Sequence, residues 1–327
     1  MKPPILAIVI PCLNESLMLP HTHPKLMASL TALMSANRVS AKSFICYVDD
    51  GSNDTTWQQI KVLMAQDPRT RGIQLSRNFG HQNALLAGLH AARPMVDCAL
   101  TMDADLQQDE AAIPLFIDRY LNGKDIVYGI RKDRAADGWL KHHTASAFYA
   151  LMARMGVNLL ANHADYRLMS RRALDALAEY KESNIFLRGL VRELGFEEDR
   201  VYFNVRQRAA GDTKYSIRKM VLFALNGITS FSIAPLRAIS AIGFLFTCFS
   251  CAMLIYVLID KYLYHDAVPG WSTIVISIYL IGGLQLLAMG VIGEYLGKLY
   301  IESKRRPRYI IEESAMDLSE DASSESL

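Results

Sequence analysis

Short apolar runs recur along the first 130 residues, at 5–10, 44–48, 72–75, 96–102 and 125–129. Between them lie longer stretches, 55–64, 83–92 and 111–122, with the spacing of amphipathic helices. Strands that alternate with helices predict a doubly wound α/β domain whose sheet is mainly parallel. The pattern over 131–210 is less regular, with helical stretches at 144–160 and 170–180 and a strand at 200–206. It changes again after 216. There Ile217, Met220, Val221, Ala224, Leu225 and Ile228 share one helical face beside Arg218 and Lys219, which predicts an interfacial amphipathic helix over 216–235. Two uncharged runs follow, 22 residues at 238–259 and 27 at 267–293. Each exceeds the roughly 20 residues that a helix needs to cross a bilayer. The pattern thus predicts transmembrane helices at 236–259 and 272–297, joined by a short non-cytoplasmic loop at 260–271.

Composition supports that division: 51% of residues are hydrophobic and 21% charged. Lys298, Lys304, Arg305, Arg306 and Arg308 crowd the end of the second run, and Arg218, Lys219 and Arg237 precede the first. The positive-inside rule then puts a cytosolic domain at 1–215 and a cytosolic tail at 298–327. The tail is basic at first and acidic from Glu312 onward, which predicts disorder. The five cysteines fit a reducing compartment and are expected to be small buried hydrophobes. A net charge of +2 and the lack of a basic, aromatic-interleaved stripe argue against nucleic acid as a partner.

The candidate chemistry lies where the apolar runs stop. One run ends in Leu100-Thr101-Met102-Asp103-Ala104-Asp105-Leu106-Gln107, another in Val48-Asp49-Asp50-Gly51-Ser52, and the first in Pro11-Cys12-Leu13-Asn14-Glu15. Open α/β sheets bind ligands at the carboxyl ends of their strands, and paired carboxylates there suit a hard divalent cation that completes its shell with phosphate oxygens. Asp103 and Asp105 are therefore candidate metal ligands.

Taken together, these motifs resemble the metal-dependent, inverting glycosyltransferases of family 2, of GT-A (Rossmann-like) fold. Within that family they resemble the polyisoprenyl-phosphate enzymes, which are related to dolichol-phosphate mannose synthases. The further motifs that carry the resemblance are Leu75-Ser76-Arg77-Asn78-Phe79-Gly80-His81, Asp165-Tyr166-Arg167-Leu168-Met169-Ser170-Arg171 and Gly211-Asp212-Thr213-Lys214-Tyr215. Gly293-Glu294-Tyr295-Leu296-Gly297-Lys298 resembles the exit sequence of the branch that glucosylates bactoprenol for O-antigen modification of lipopolysaccharide. The resemblance implies transfer of a hexose, glucose foremost, from a UDP-sugar to undecaprenyl phosphate at the face of the bacterial inner membrane. A multi-pass chain that assembles as a homo-oligomer, a tetramer, is implied with it.

Site roles follow from the same resemblance. Pro11, Asn14, Glu15, Asp49, Arg77 and Asp103 would border the nucleotide. Asp103, Asp105 and Gln107 would hold Mg²⁺ or Mn²⁺, and Asp165 with Asp105 would serve catalysis. Arg131, Arg208 and Lys214 would bind the acceptor phosphate and the diphosphate. The chain departs from the family pattern at Gln108-Asp109-Glu110, at Ala164, at His142-His143 and at Asp212-Thr213. Two other readings stand beside this one: the same chemistry with another donor, such as formamido-aminoarabinose or an N-acetylhexosamine, and a non-catalytic scaffold that binds nucleotide-sugar.

Overall fold

A computed structural model of the chain describes residues 2–132, 163–182, 187–204 and 270–316, with isolated positions between 236 and 252. It divides into two compact units, one built from 1–149, 158–214 and 306–327, the other from 150–157 and 215–305.

The first unit is an eight-stranded sheet with helices on both faces. Its strands are β1 (Leu6–Cys12), β2 (Phe44–Asp49), β3 (Thr70–Leu75), β4 (Cys98–Thr101), β5 (Ile126–Arg131), β6 (His163–Ser170), β7 (Glu198–Phe203) and β8 (Ile311–Ala315). Their order across the sheet is β7-β5-β6-β4-β1-β2-β3-β8. β4, β1, β2 and β3 form a parallel centre, and β6 and β8 join its two sides antiparallel. β5 and β7 also pair in parallel, so among the described residues four of the seven strand pairings are parallel and the mixed sheet is mainly parallel, as expected.

The helices are α1 (Leu19–Ser35), α2 (Thr56–Gln66), α3 (His81–Ala92), α4 (Ile113–Leu121), α5 (Arg171–Glu179) and α6 (Leu187–Glu193). Every residue of β1 is buried, because a parallel strand covered on both faces has no polar side. Leu6, Ile8 and Ile10 pack with Leu26 and Leu30 of α1 and Phe116 of α4. The alternate residues Ala7 and Val9 pack with Leu85, Leu86 and Leu89 of α3. Gly88 lets α3 approach closely, since a Cβ there would lie 2.4 Å from Val9 Cγ1 and 2.7 Å from Val48 Cγ2.

Several expectations change. The segment expected to be disordered contains β8, which pairs with β3 while Glu313 engages Lys61 and the Trp57 indole. β6 arises within the region read as irregular. Cys12, Cys46 and Cys98 are buried as expected, but Cys248 is exposed.

The expectation of two transmembrane helices is corrected as well. Among the described residues, no helix is long and apolar enough to cross a membrane. The interfacial helix at 216–235 and most of the first run lie outside the described residues. In the second unit, α7 (Trp271–Ser303) is a continuous helix. Its longest stretch of described side chains, 288–303, carries Glu294, Lys298 and Glu302, and charges of that kind are costly in a bilayer core. A multi-pass placement in the inner membrane therefore has no support from the described helices.

Candidate active site

The carboxyl ends of β1, β2 and β4 meet at the point where the chain order reverses about β1, and the sequence-predicted residues gather there. β2 delivers Asp49 and Asp50, both buried. Asp49 Oδ1 accepts from the Ser52 backbone N–H at 3.3 Å, while Oδ2 is buried without a protein hydrogen bond. Burial pushes the Asp49 carboxyl up from its ordinary range, against the pull of its bonds to Ser52. Asp50 faces the other way and accepts from the backbone N–H groups of Phe79 (2.8 Å) and Gly80 (3.0 Å). It thereby ties the β3–α3 loop to the end of β2. Gly51, at φ +67°, passes beneath that loop so closely that a Cβ would lie 2.4 Å from the Arg77 carbonyl carbon.

Asn14 and Glu15 stand at the end of β1 and are engaged with the neighbouring loop. Asn14, at φ +56°, donates its N–H to Ser52 Oγ (2.9 Å) and accepts from the Asn53 N–H through Oδ1 (2.9 Å). Glu15 donates its N–H to Thr56 Oγ1. Pro11 is buried within β1. Arg77 is exposed, with its guanidinium 4.0 Å from the Phe79 ring centroid.

The chain leaving β4 carries Asp103 and Asp105. The turn after it is tight: Leu106 sits at φ +55° and the Gln107 N–H donates to Asp105 Oδ1 at 3.1 Å. Asp103 is bracketed by Gln108, whose Nε2 donates to Oδ2 at 2.6 Å and whose Oε1 accepts the Asp103 N–H at 3.0 Å. Burial pushes the Asp103 carboxyl up to about 6. The His81 charge opposes the rise, and the carboxylates of Asp165 and Asp105 add to it. His81, the first residue of α3, has Nε2 3.5 Å from Asp103 Oδ1 and 3.7 Å from Asp165 Oδ2. Burial alone would lower its pKa, but the two carboxylates outweigh that and raise it.

β6 carries Asp165 to the same place. Thr101 Oγ1 donates to the Asp165 carbonyl at 2.6 Å, which locks β6 to the end of β4. The Asp165 carboxylate lies between two guanidiniums: Arg167 Nη2 reaches Oδ1 at 2.6 Å, and Arg188 reaches both oxygens, at 3.2 and 2.8 Å. Burial works to raise this carboxyl, yet the neighbouring His81 imidazole and the two arginines together hold it well below the usual carboxylate range. Arg167 is fully buried, and its Nη1 donates to the Leu187 carbonyl at 3.2 Å. Arg131 is exposed at the end of β5, close enough for its charge to act on Asp103.

The fold thus gathers Asp103, Asp105, Asp165, His81 and Arg131, and Asn14, Glu15, Asp49 and Arg77 stand at the carboxyl ends of β1, β2 and β3 in the same sheet. Arg208 and Lys214 lie outside the described residues. Sequence reasoning gave no role to Asp50, Gln108 or Arg188. Asp50 stood beside a singled-out acid and Gln108 beside the expected ligand Gln107, whereas no motif points to Arg188. Among the described residues, no three His, Cys, Asp or Glu side chains form a ready-made metal cage.

Comparison with known proteins shows close relatives. The family model described as "Glycosyl transferase family 2" matches residues 7–178. The uncharacterized glycosyltransferase YkoT of Bacillus subtilis (strain 168) is 44% identical over 309 residues, spanning 94% of this chain and 91% of that protein. The prophage bactoprenol glucosyl transferase homolog of Escherichia coli (strain K12) is 38% identical over 268 residues, spanning 82% of this chain and 87% of that protein. Among solved structures, glucosyl-3-phosphoglycerate synthase from Mycobacterium tuberculosis, in complex with Mn²⁺, UDP and glucosyl-3-phosphoglycerate, aligns at a TM-score of 0.45. It is 17% identical, over 69% of this chain and 78% of that one.

Proposed function

The chain belongs to glycosyl transferase family 2, and from that premise we propose that it transfers a hexose, glucose foremost, from a UDP-sugar to a polyprenyl phosphate. Inversion at the sugar would yield a β-linked lipid phosphosugar for modification of an envelope polysaccharide. Relatives named as bactoprenol glucosyl transferases, 38% identical over more than four fifths of the chain, support the acceptor class. The observation that carries the reading is the convergence of Asp103 and Asp165 on His81 at the carboxyl end of the parallel strands.

Asp49 Oδ2, buried without a protein partner, is suited to accept the imide N–H of uracil. Asp103 and Asp105, with Gln107 beside them, are assigned to Mg²⁺ or Mn²⁺. The donor set fits such an ion, because hard oxygen ligands crowd together and their mutual repulsion helps raise the Asp103 carboxyl. One or two carboxylates suffice where substrate phosphates complete the shell, so a full protein cage is not required. When bound, the cation would neutralise charge that grows on the departing UDP.

The protein's own groups then orient and discharge the reactants. A lipid phosphate is already anionic near neutral pH, so its oxygen attacks the sugar carbon without first losing a proton. Asp165, held as an anion by Arg167 and Arg188, acts as a fixed charge that orients the acceptor side. Arg131, with Arg208 and Lys214, would offset repulsion between acceptor phosphate and sugar diphosphate.

The test is incubation of the purified chain with undecaprenyl phosphate, Mn²⁺ or Mg²⁺ and labelled UDP-glucose. UDP and a labelled glycolipid should appear together, and Asp105→Asn should abolish both. Absence of both products across a panel of UDP-hexoses would overturn the reading.

A further inference from the structure

Gln108 lies outside every residue so far assigned to substrate, and it is 1% exposed. Both halves of its amide serve one neighbour. Oε1 accepts the Asp103 backbone N–H at 3.0 Å and Nε2 donates to Asp103 Oδ2 at 2.6 Å. The two bonds fix the orientation of the amide, because a flip would set donor against donor and acceptor against acceptor. They also make a glutamine the matching side chain here. Glutamate would place an acceptor against the Oδ2 acceptor, and methionine would leave a backbone N–H and a carboxylate oxygen unpaired beneath the surface.

The surrounding turn reinforces the geometry. Leu106 at φ +55° folds the chain back, and the Gln107 N–H closes onto Asp105 Oδ1. The side chain that reaches Asp103 is therefore that of Gln108, while Gln107 contributes its backbone to the turn. With Oδ2 engaged, Oδ1 is the oxygen that faces His81 across 3.5 Å.

We propose that Gln108 is a positioning residue for the cation–diphosphate site, engaging Asp103 Oδ2 so that Oδ1 alone is presented to the divalent ion. The inference rests on the assignment of Asp103 to that ion.

The experiment is Mn²⁺ titration of the full chain by electron paramagnetic resonance, with UDP present, on wild type, Gln108→Met, Asp103→Asn and the double variant. Gln108→Met should weaken Mn²⁺ binding by about tenfold or more, as expected for loss of a hydrogen bond to a charged group. The same loss should appear in KM for Mn²⁺ rather than in kcat at saturating metal, and UDP affinity without metal should stay within about twofold of wild type. In the Asp103→Asn background, Gln108→Met should add nothing. Unchanged Mn²⁺ affinity in Gln108→Met, or an equal loss in both backgrounds, overturns the proposal. If Gln108→Met does not fold, Gln108→Asn replaces it: the amide is one methylene too short, and wild-type Mn²⁺ affinity there overturns the proposal equally. Failure of wild type itself to bind Mn²⁺ with UDP would remove the metal assignment and this inference together, whereas a bound wild type with an indifferent variant removes the inference alone.

Discussion

At the residue scale the arrangement around Asp165 decides what that carboxylate can do. A general base needs a pKa near the working pH, and Asp165 is held well below the carboxylate range by His81, Arg167 and Arg188 against the opposing effect of burial. Its folded pKa is depressed, so the stability it contributes is present above the unfolded pKa of about 4 and is lost as pH falls through the folded value. The two arginines differ in what removal exposes. Arg167 is fully buried, so Asp165→Asn leaves a desolvated cation with a neutral partner, at a cost of about 3–5 kcal/mol. Arg188 is one-third exposed, and Arg188→Met leaves Asp165 still bonded to Arg167, so its cost should be smaller, about 1–2 kcal/mol. Urea unfolding of the two variants at pH 7 tests that order; equal costs would show that Arg167 does not depend on Asp165. Turnover should fall in both variants, since each removes part of the charge arrangement centred on Asp165.

At the scale of elements, the site depends on a turn fitted beneath a loop. Gly51 lies at φ +67° under Arg77 and Asn78, and Asp50 binds the next two backbone N–H groups. Gly51→Ala must both enter left-handed backbone space and move the loop, so it should cost about 2 kcal/mol or more and weaken UDP binding. Calorimetric titration with UDP together with thermal unfolding measures both, and unchanged values would mean that the loop yields freely. The acidic Asp-Asp-Gly motif and the strands behind it were legible in the sequence, because a strand buried on both faces reads as an unbroken apolar run. β6 was not legible. Its residues Asp165-Tyr166-Arg167-Leu168-Met169-Ser170 mix site charges with core side chains, and the buried Arg167 is held by Asp165 from the same strand and by the Leu187 carbonyl. β8 was hidden for a related reason: Ile-Glu-Glu-Ser-Ala reads as solvated, yet an edge strand needs only one paired side and can leave its acids in water. Gln108 and Arg188 act through tertiary neighbours that no local spacing reports.

At the scale of the whole chain, residues 308–316 return to the sheet-bearing unit after α7 and close its β3 edge. Ser76 donates its N–H to the Ile310 carbonyl, so this strap abuts the start of the loop that holds Arg77. Arg308 donates to the Tyr180 carbonyl, and Tyr309 Oη lies 3.0 Å from His90 Nδ1 on α3. Burial, with the charges of Arg308 and Arg93, lowers the His90 pKa to about 4. Above pH 6.5 the imidazole is neutral in both folded and unfolded chains, so it contributes no pH dependence there. Between about 6.5 and 4 the unfolded chain binds a proton that the folded chain refuses, and stability falls by up to about 3 kcal/mol from this group. His90→Gln keeps a side chain able to hydrogen-bond Tyr309 and removes the titration. Its stability relative to wild type should therefore improve steadily as pH drops through that window and stay constant above it. A chain that ends at Arg306 should lose several degrees of Tm through the missing strand and the Tyr309 contact. Without the Arg308 charge and the cover of Tyr309, His90 should also titrate nearer 6.5, so the acid-side loss of stability should shrink. Thermal unfolding of the three proteins from pH 8 to 4 separates these effects: parallel curves for wild type and the shortened chain would mean that the strap does not set the protonation of His90, even if it stabilises the sheet.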